Sequence, residues 1–201
     1  HYLSLAANQN SVDAQLALAD IFFDDFDKSN QYYLMAANQN NSDAQYILGA
    51  RYYEESSYRN IKKAIYYLTL AANNNHPKAQ FVLGSIYYYG KYTIKDIDKA
   101  IYYLELAAYN NHPEAHLYLG HIYYHRLEKT GEIDKVINHF CVAAENNFSI
   151  AQYYLGLIYY EGIYVTRDVD LAKNYFSLAA DQNDPEAQYN LGYKYIMLLV
   201  I

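Results

Sequence analysis

The chain has 201 residues, with 15 Lys and Arg against 22 Asp and Glu, and so a net charge of −7 and a pI near 5.4. Hydrophobic residues make up 53% and charged residues 18%, a composition too apolar for a disordered chain. The acidic balance argues against nucleic acid or an anionic membrane surface as a partner, because both select for basic faces.

Membrane insertion and a disulfide framework are also not expected. The sequence has no uncharged apolar run of about 18 residues, so we expect no membrane insertion within this segment. The single cysteine, Cys141, cannot form a disulfide within the chain, so nothing requires an oxidising compartment. The localisation is left undefined by the sequence.

The sequence repeats itself with a period close to 36 residues. An alanine, followed by Gln or His, opens six segments with offsets of 30, 35, 36, 36 and 36, at Ala14, Ala44, Ala79, Ala115, Ala151 and Ala187. Four residues later comes Leu with a small residue, as in Leu83-Gly84, and then an aromatic residue such as Tyr87. Later in each unit an Ala-Ala pair recurs, as at Ala107-Ala108.

Each unit is predicted to form two helices, which we call helix A and helix B. In helix A the Ala, Leu, Gly and Tyr markers share one face at 3.6 residues per turn. Acidic residues such as Asp96 and Asp168 suit the start of helix B, and Gly90 and Gly162 suit the end of helix A. The predicted helices, in chain order, are 1–9 (partial), 12–24, 28–39, 43–54, 60–74, 77–89, 96–110, 113–125, 132–147, 149–161, 168–182 and 185–197.

Small residues mark the expected contacts between helices. The glycines after the repeated leucines, such as Gly84 and Gly120, are expected to lie where helices cross closely, because neither helix can bury its apolar stripe alone. One position of helix B has the same role at offsets of 36, namely Ala64, Ala100, Val136 and Ala172.

The pattern A-x-x-x-L-G-x-x-Y, D-x-x-K-A-x-x-Y, A-A and N-x-H-P resembles the Sel-one-like repeat (SLR), a tetratricopeptide-related α-solenoid family. The motif residues that match in the third unit are Ala79-Gln80, Leu83-Gly84, Tyr87, Gly90, Asp98, Lys99, Ala100, Tyr103 and Ala107-Ala108. The first unit departs from the pattern through a shorter loop and Ala19 in place of Gly, and the second and fourth have Glu55 and Arg126 in place of the loop glycine.

The resemblance implies an all-α, right-handed solenoid and an adaptor function in protein complexes. We expect a single solenoid over residues 1–201 with units at 1–10 (partial), 11–40, 41–75, 76–111, 112–147, 148–183 and 184–201 (partial). Because the sequence starts inside a repeat, it is interpreted as a segment of a longer array from which any signal peptide would be missing.

The sequence offers little chemistry. His112, His116, His121 and His125 form the one cluster with spacing typical of metal ligands, but Ile122 stands where a zinc protease would carry its general base. The cluster is more readily interpreted as a polar helix face. Cys141 is interpreted as a small buried thiol, and the pairs Asp24-Asp25 and Glu54-Glu55 as a solvated rim. We therefore expect no enzyme, no cofactor and no bound metal.

The remaining candidate site is the concave groove, which helices A line in tetratricopeptide-like stacks. This likeness places a row of aromatic residues in the groove, Phe23, Tyr53, Tyr88, Tyr124 and Tyr160. A second row lies on an earlier turn, Tyr46, Phe81, Leu117, Tyr153 and Tyr189. These rings could either bind a partner or pack between adjacent helices, and the two roles can coexist. Acidic residues at the edge, Asp20, Asp24, Glu54 and Glu161, favour a ligand with apolar and some basic side chains.

The leading hypothesis is thus a non-catalytic scaffold that binds a protein or peptide partner in this groove. Two alternatives remain open. One is a metal-binding or enzymatic module that uses the region His112–His125. The other is a structural spacer within a longer protein.

Overall fold

The computed structural model describes residues 1–54 and 59–199, and describes side chains as far as Gly192 within the last helix. The predictions for Glu55, for the aromatic marker Tyr195 and for the apolar end of the chain therefore lie outside the described side chains. Twelve helices lie in the described residues: α1 Tyr2–Asn8, α2 Val12–Ile21, α3 Phe26–Ala37, α4 Ser42–Glu54, α5 Ile61–Asn73, α6 Pro77–Tyr89, α7 Ile97–Tyr109, α8 Pro113–Thr130, α9 Ile133–Glu145, α10 Ser149–Glu161, α11 Val169–Asp181 and α12 Pro185–Leu199.

The predicted all-α repeat solenoid is confirmed, and residues 1–54 and 59–199 contain no strand. The helices group into two compact units, which we call unit 1 (His1–His112, α1–α7) and unit 2 (Pro113–Ile201, α8–α12). Within each unit, each A helix packs against the B helix that follows it, and each B helix packs against the next A helix. Among the described helices, none has both the length and the apolarity needed to cross a membrane.

The turn that ends each B helix is built on asparagine. In the described chain, six asparagines adopt a left-handed backbone conformation with φ between 59° and 66°, at Asn10, Asn40, Asn75, Asn111, Asn147 and Asn183. At Asn75 the next amide, of His76, donates to the carbonyl of Ala71, while the amide of Asn75 donates to Ala72. This pair of bonds satisfies the last carbonyls of the helix. Asparagine suits the site because its short polar side chain tolerates positive φ.

The residue after each asparagine immediately precedes the next A helix. Its side chain accepts a hydrogen bond from the amide three residues later at Ser11, Asn41, His76 and Asp184. These caps satisfy amides that lack a partner in the first helical turn. A left-handed asparagine and a capping side chain together thus turn the chain from one repeat to the next.

Two predicted helix ends and one predicted helix start were wrong. Helix α2 ends at Ile21 instead of 24, and α3 begins at Phe26 because Asp25 caps it by accepting from the amide of Lys28 at 3.1 Å. Helix α8 continues to Thr130 instead of ending at 125. Helices α6 and α10 end at Gly90 and Gly162, and both glycines adopt a left-handed conformation. After α8 the glycine with this conformation is Gly131, so the helix ends later.

The close approach at the repeated glycines is confirmed at Gly49, Gly84, Gly120 and Gly156, whereas no described atom lies within 4 Å of a Cβ at Gly192. A Cβ on Gly84 would lie 2.6 Å from Cγ of Leu104, and a Cβ on Gly120 would lie 2.6 Å from Cδ1 of Phe140. The small-residue positions of helix B are also buried, at Ala64, Ala100, Val136 and Ala172. In the core of these repeats, helix A therefore crosses helix B at a glycine. A side chain of helix B fills the space that the missing Cβ leaves.

Candidate functional site

In unit 1 the predicted first row keeps part of its surface accessible. Phe23 is 62% exposed, and Tyr53 and Tyr88 are half-buried. Two of these rings, Phe23 and Tyr88, have a cation over the ring. The guanidinium of Arg51 lies 5.4 Å from the centroid of Phe23, and Nζ of Lys95 lies 5.4 Å from that of Tyr88. The ring faces are thus partly covered by the chain's own cations.

In unit 2 the two first-row rings are half-buried and differ in their surroundings. Tyr124 packs edge-on against Tyr154, with ring centroids 5.0 Å apart, and Tyr154 in turn stacks on the buried Phe140. Tyr160 carries the guanidinium of Arg167 at 5.1 Å from its ring centroid, and Nε of Arg167 donates to the carbonyl of Tyr160 at 2.9 Å. Packing and accessibility therefore coexist on this row.

Histidines cover the second row in unit 1. The ring of His76 stacks on Tyr46 with centroids 4.6 Å apart, and His112 stacks on Phe81 at 4.4 Å. Nδ1 of His76 accepts from the amide of Ala79, so its Nε2 carries the hydrogen and faces Asp43 at 3.2 Å. The histidine of the N-x-H-P motif thus caps a helix and covers an aromatic ring of the preceding repeat.

The remaining second-row residues belong to unit 2. Tyr153 is half-buried against Phe176, with centroids 6.0 Å apart, and Leu117 is also half-buried. Tyr189 is 62% exposed. None of the nine aromatic residues predicted to bind a partner is fully buried.

Two tyrosines that the sequence interpretation missed extend the aromatic surface. Tyr92 packs edge-on against Tyr53, with centroids 5.8 Å apart, although it belongs to the loop of the next repeat. In unit 2 the corresponding Tyr164 lies close enough to Tyr124 to raise the pKa of its phenol. Both follow a loop glycine, Gly90 or Gly162, by two residues, and this spacing is the signal that could have identified them.

The electrostatic surroundings differ between the units. Burial raises the pKa of Tyr53, and the nearby Lys91 and Arg59 act against that rise while Glu54 adds to it. In unit 2, burial likewise raises the pKa of Tyr124, and Glu161 raises it further. Burial also raises the pKa of Tyr153, with Glu186 and Asp184 acting in the same direction. Cations thus predominate around Tyr53, and carboxylates around Tyr124 and Tyr153.

The histidine cluster is divided into separate contacts. Nε2 of His121 and Nε2 of His125 lie 3.0 Å apart, and Nδ1 of His116 lies 3.1 Å from Nδ1 of His139. Burial, and then His125, lower the pKa of His121. In the described part of the chain no group of three or more His, Cys, Asp or Glu side chains is placed to hold a metal ion.

Cys141 and the paired carboxylates have structural surroundings. Cys141 is half-buried, and burial raises the pKa of its thiol, which lies in hydrogen-bonding contact with Tyr175. Asp25 caps α3, and the bond from the Lys28 amide lowers the pKa of its carboxyl. Asp24 and Glu54 are exposed. A thiol whose pKa is raised is a poor nucleophile at neutral pH.

Comparison with known proteins identifies the family. In solved structures, the chain is similar to a protective antigen of uropathogenic Escherichia coli that displays an SLR fold, with 28% identity, a TM-score of 0.80, and coverage of 96% of this chain and 43% of that one. It is also similar to a Sel1 repeat protein from Oxalobacter formigenes, with 26% identity, a TM-score of 0.75, and coverage of 94% and 57%. The chain spans about half the length of these two proteins.

No curated protein sequence matches the chain significantly. The family model described as Sel1 repeat, however, matches six consecutive segments, residues 12–41, 42–76, 77–112, 113–139, 149–184 and 185–198. These segments contain the Ala-Leu-Gly-Tyr markers and the crossing glycines described above. The chain belongs to the Sel1 repeat family.

Proposed function

We propose that the chain is a non-catalytic scaffold that binds a peptide segment or a helix of a protein partner on the aromatic faces of its A helices. Sel1 repeat proteins are generally scaffolds for protein–protein interaction and generally not enzymes. The observation that carries the proposal is the accessibility of the nine predicted rings, of which two are exposed and seven half-buried. Aromatic side chains that are anchored yet accessible offer large, rigid contact area at low entropic cost.

In unit 2 the proposed binding face consists of Tyr124, Tyr153 and Tyr160. Tyr124 is held in place by Tyr154, so little side-chain freedom would be lost on binding. Glu161 acts on Tyr124 and Glu186 on Tyr153, so carboxylates lie near these two rings, while the guanidinium of Arg167 lies on Tyr160. The occupant that fits this face is a segment with apolar side chains and Lys or Arg, because opposite charge steers association.

A selection from a random peptide library tests the proposal. Peptides selected on the wild-type protein are labelled, and their affinities are measured by fluorescence polarisation. Tyr124→Ala should weaken the peptides that bind unit 2 by about 30-fold, since truncation of an interfacial aromatic anchor costs about 2 kcal/mol. The matched control is Tyr109→Ala, because Tyr109 is 86% exposed at the end of a B helix.

The fold of each variant is checked by circular dichroism at the temperature of the binding measurement. If Tyr124→Ala lowers the melting temperature but leaves every affinity unchanged in the folded protein, Tyr124 is a packing residue only. If no selected peptide depends on any first-row ring, the chain is a spacer and the proposal is wrong.

A further inference from the structure

We infer that unit 1 binds an acidic segment of a protein partner, at a site formed by Tyr53, Arg59, Lys91 and Tyr92, which we call the loop patch. The inference rests on the proposed scaffold function. The acidic residues at the groove edge favour a basic ligand, whereas the loop patch favours an acidic one. The basis of the inference is the position of the cations on the aromatic rings.

The loop patch is a preorganised cluster. Tyr92 packs edge-on against Tyr53, and the guanidinium of Arg59 lies 4.7 Å from the centroid of Tyr92. Nε of Arg59 donates to the carbonyl of Tyr53 at 3.0 Å, and its Nη2 donates to the carbonyl of Glu54 at 3.2 Å. These bonds hold the guanidinium at the C-terminal end of α4, where the helix dipole favours a cation. A ligand would thus meet a positive charge whose position is already fixed.

A second cation completes the patch. Nζ of Lys91 lies 5.1 Å from the centroid of Tyr92, so two cations share this one ring. Neither Arg59 nor Lys91 has a carboxylate within 4.0 Å in the described part of the chain. In the same loop as Lys91, Lys95 has its Nζ 5.4 Å from the centroid of the Tyr88 ring. These charges stand out in a chain whose net charge is −7.

The occupied rings decide between an acidic and a basic ligand. An arriving Lys or Arg would meet ring faces that already hold cations, and like charges repel at these distances. An Asp or Glu would instead pair with Arg59, whose planar fork suits carboxylate oxygens, and with Lys91. Among the described residues, Glu54 is the carboxylate that acts on Tyr53, and it opposes this attraction only in part.

The patch also offers apolar contact area. Tyr92 is 36% exposed, and Ile94 in the same loop is 87% exposed. The occupant that fits is therefore an extended segment in which Asp or Glu alternates with aliphatic or aromatic side chains, so that carboxylates reach Arg59 and Lys91 while apolar groups contact Tyr92 and Ile94.

The test uses the same random peptide library with a pair of charge-matched variants. Lys91→Ala/Lys95→Ala removes two cations from the aromatic rings. Lys62→Ala/Lys78→Ala removes two exposed lysines of unit 1 that lie on helices α5 and α6. Peptides that lose at least about fivefold in affinity with the first variant, and not with the second, are expected to be enriched in Asp and Glu, and their binding should weaken with rising salt.

A third variant, Tyr92→Ala, should weaken the same peptides by about tenfold or more, because it removes the ring that both cations share. All three variants are checked for native helicity. The inference would be overturned if the peptides that depend on Lys91 and Lys95 are rich in Lys and Arg, or if no selected peptide depends on Lys91 and Lys95. Binding of duplex DNA or phosphatidylserine vesicles at the patch, without any acidic peptide, would overturn it as well.

The two proposals fail separately. Peptides that depend on Tyr124 but never on Lys91 and Lys95 leave the scaffold function intact and reject the acidic partner of unit 1. An absence of any peptide that depends on a first-row ring rejects both.

Discussion

Gln80 and Asn110 join helix A and helix B of one repeat in unit 1 by a hydrogen bond between their side chains, and Gln80 also bonds to the preceding repeat. Nδ2 of Asn110 donates to Oε1 of Gln80 at 2.9 Å, while Nε2 of Gln80 donates backwards to the carbonyl of Ala72 at 3.1 Å. The buried amide thus satisfies its donor and its acceptor with the preceding and the following B helix. The same double link recurs at Gln15, Gln45 and Gln152.

Replacing Gln80 by Leu should lower the free energy of unfolding by about 1–3 kcal/mol, because the hydrogen bonds of Gln80 to the carbonyl of Ala72 and from Nδ2 of Asn110 would both be lost at a buried site. Urea unfolding monitored by circular dichroism measures the change. Gln31→Leu, at an exposed position of α3, is the control and should change stability by less than about 0.5 kcal/mol. Equal effects of the two substitutions would show that the buried link contributes nothing.

Gly84→Ala should destabilise the protein by about 1–3 kcal/mol, since the added Cβ would lie 2.6 Å from Cγ of Leu104. Gly192→Ala is the matched control. No described atom lies within 4 Å of a Cβ at Gly192, and alanine favours a helix by about 1 kcal/mol over glycine. Thermal melts should thus shift in opposite directions, and a shared direction would contradict the crossing.

Asn75→Ala should cost about 1 kcal/mol, because alanine is strained at φ 59°. Asn75→Gly should be tolerated, since glycine adopts this conformation freely. The control is Asn73→Ala, an exposed residue in the last turn of α5, where alanine has no such strain. Comparison of the three denaturation midpoints separates the effect of the turn conformation on stability from any general effect of replacing an asparagine. A Gly variant as unstable as the Ala variant would assign the stability to the asparagine side chain.

Unit 2 should lose stability as the pH falls from about 6.5 to about 4. Burial, then His116 and Lys135, lower the pKa of His139 to about 4, so the unfolded chain takes up this proton at higher pH than the folded chain does. The contribution of His139 to stability is fully present above its pKa in the unfolded chain. It is lost as the pH falls and does not change further below its pKa in the folded chain. His139→Tyr should reduce this slope in pH-dependent melts.

Tyrosine is a suitable replacement because it occupies the matching place in other repeats. Tyr103 stacks on Tyr87 with centroids 6.0 Å apart and an interplanar angle of 7°, much as His139 stacks on Tyr123 at 5.7 Å and 6°. The control His1→Tyr changes an exposed histidine of unit 1. A slope that is unchanged in His139→Tyr would mean that other groups cause the acid sensitivity.

The helices, their repeat and the family could be predicted from the sequence because each depends on local or periodic signals. The Ala-Leu-Gly-Tyr spacing states which face of helix A is buried, and Gly84 marks a crossing whatever side chain fills it. The end of α8 was predicted wrongly because it was taken from the average repeat. The helix instead continues past residue 125 until Gly131. The positive φ of the six asparagines had no comparable signal in a chain rich in asparagine.

The surroundings of the aromatic rows were decided by the tertiary structure. The sequence by itself determined that rings recur on helix A, yet it could not state that His76 would cover Tyr46 or that Tyr92 would reach Tyr53 of the preceding repeat. These contacts join residues that are about 30 to 40 positions apart, so they depend on how one helix pair packs on the next. The charge at each ring follows from the same packing, because potential depends on distance in space and not on composition.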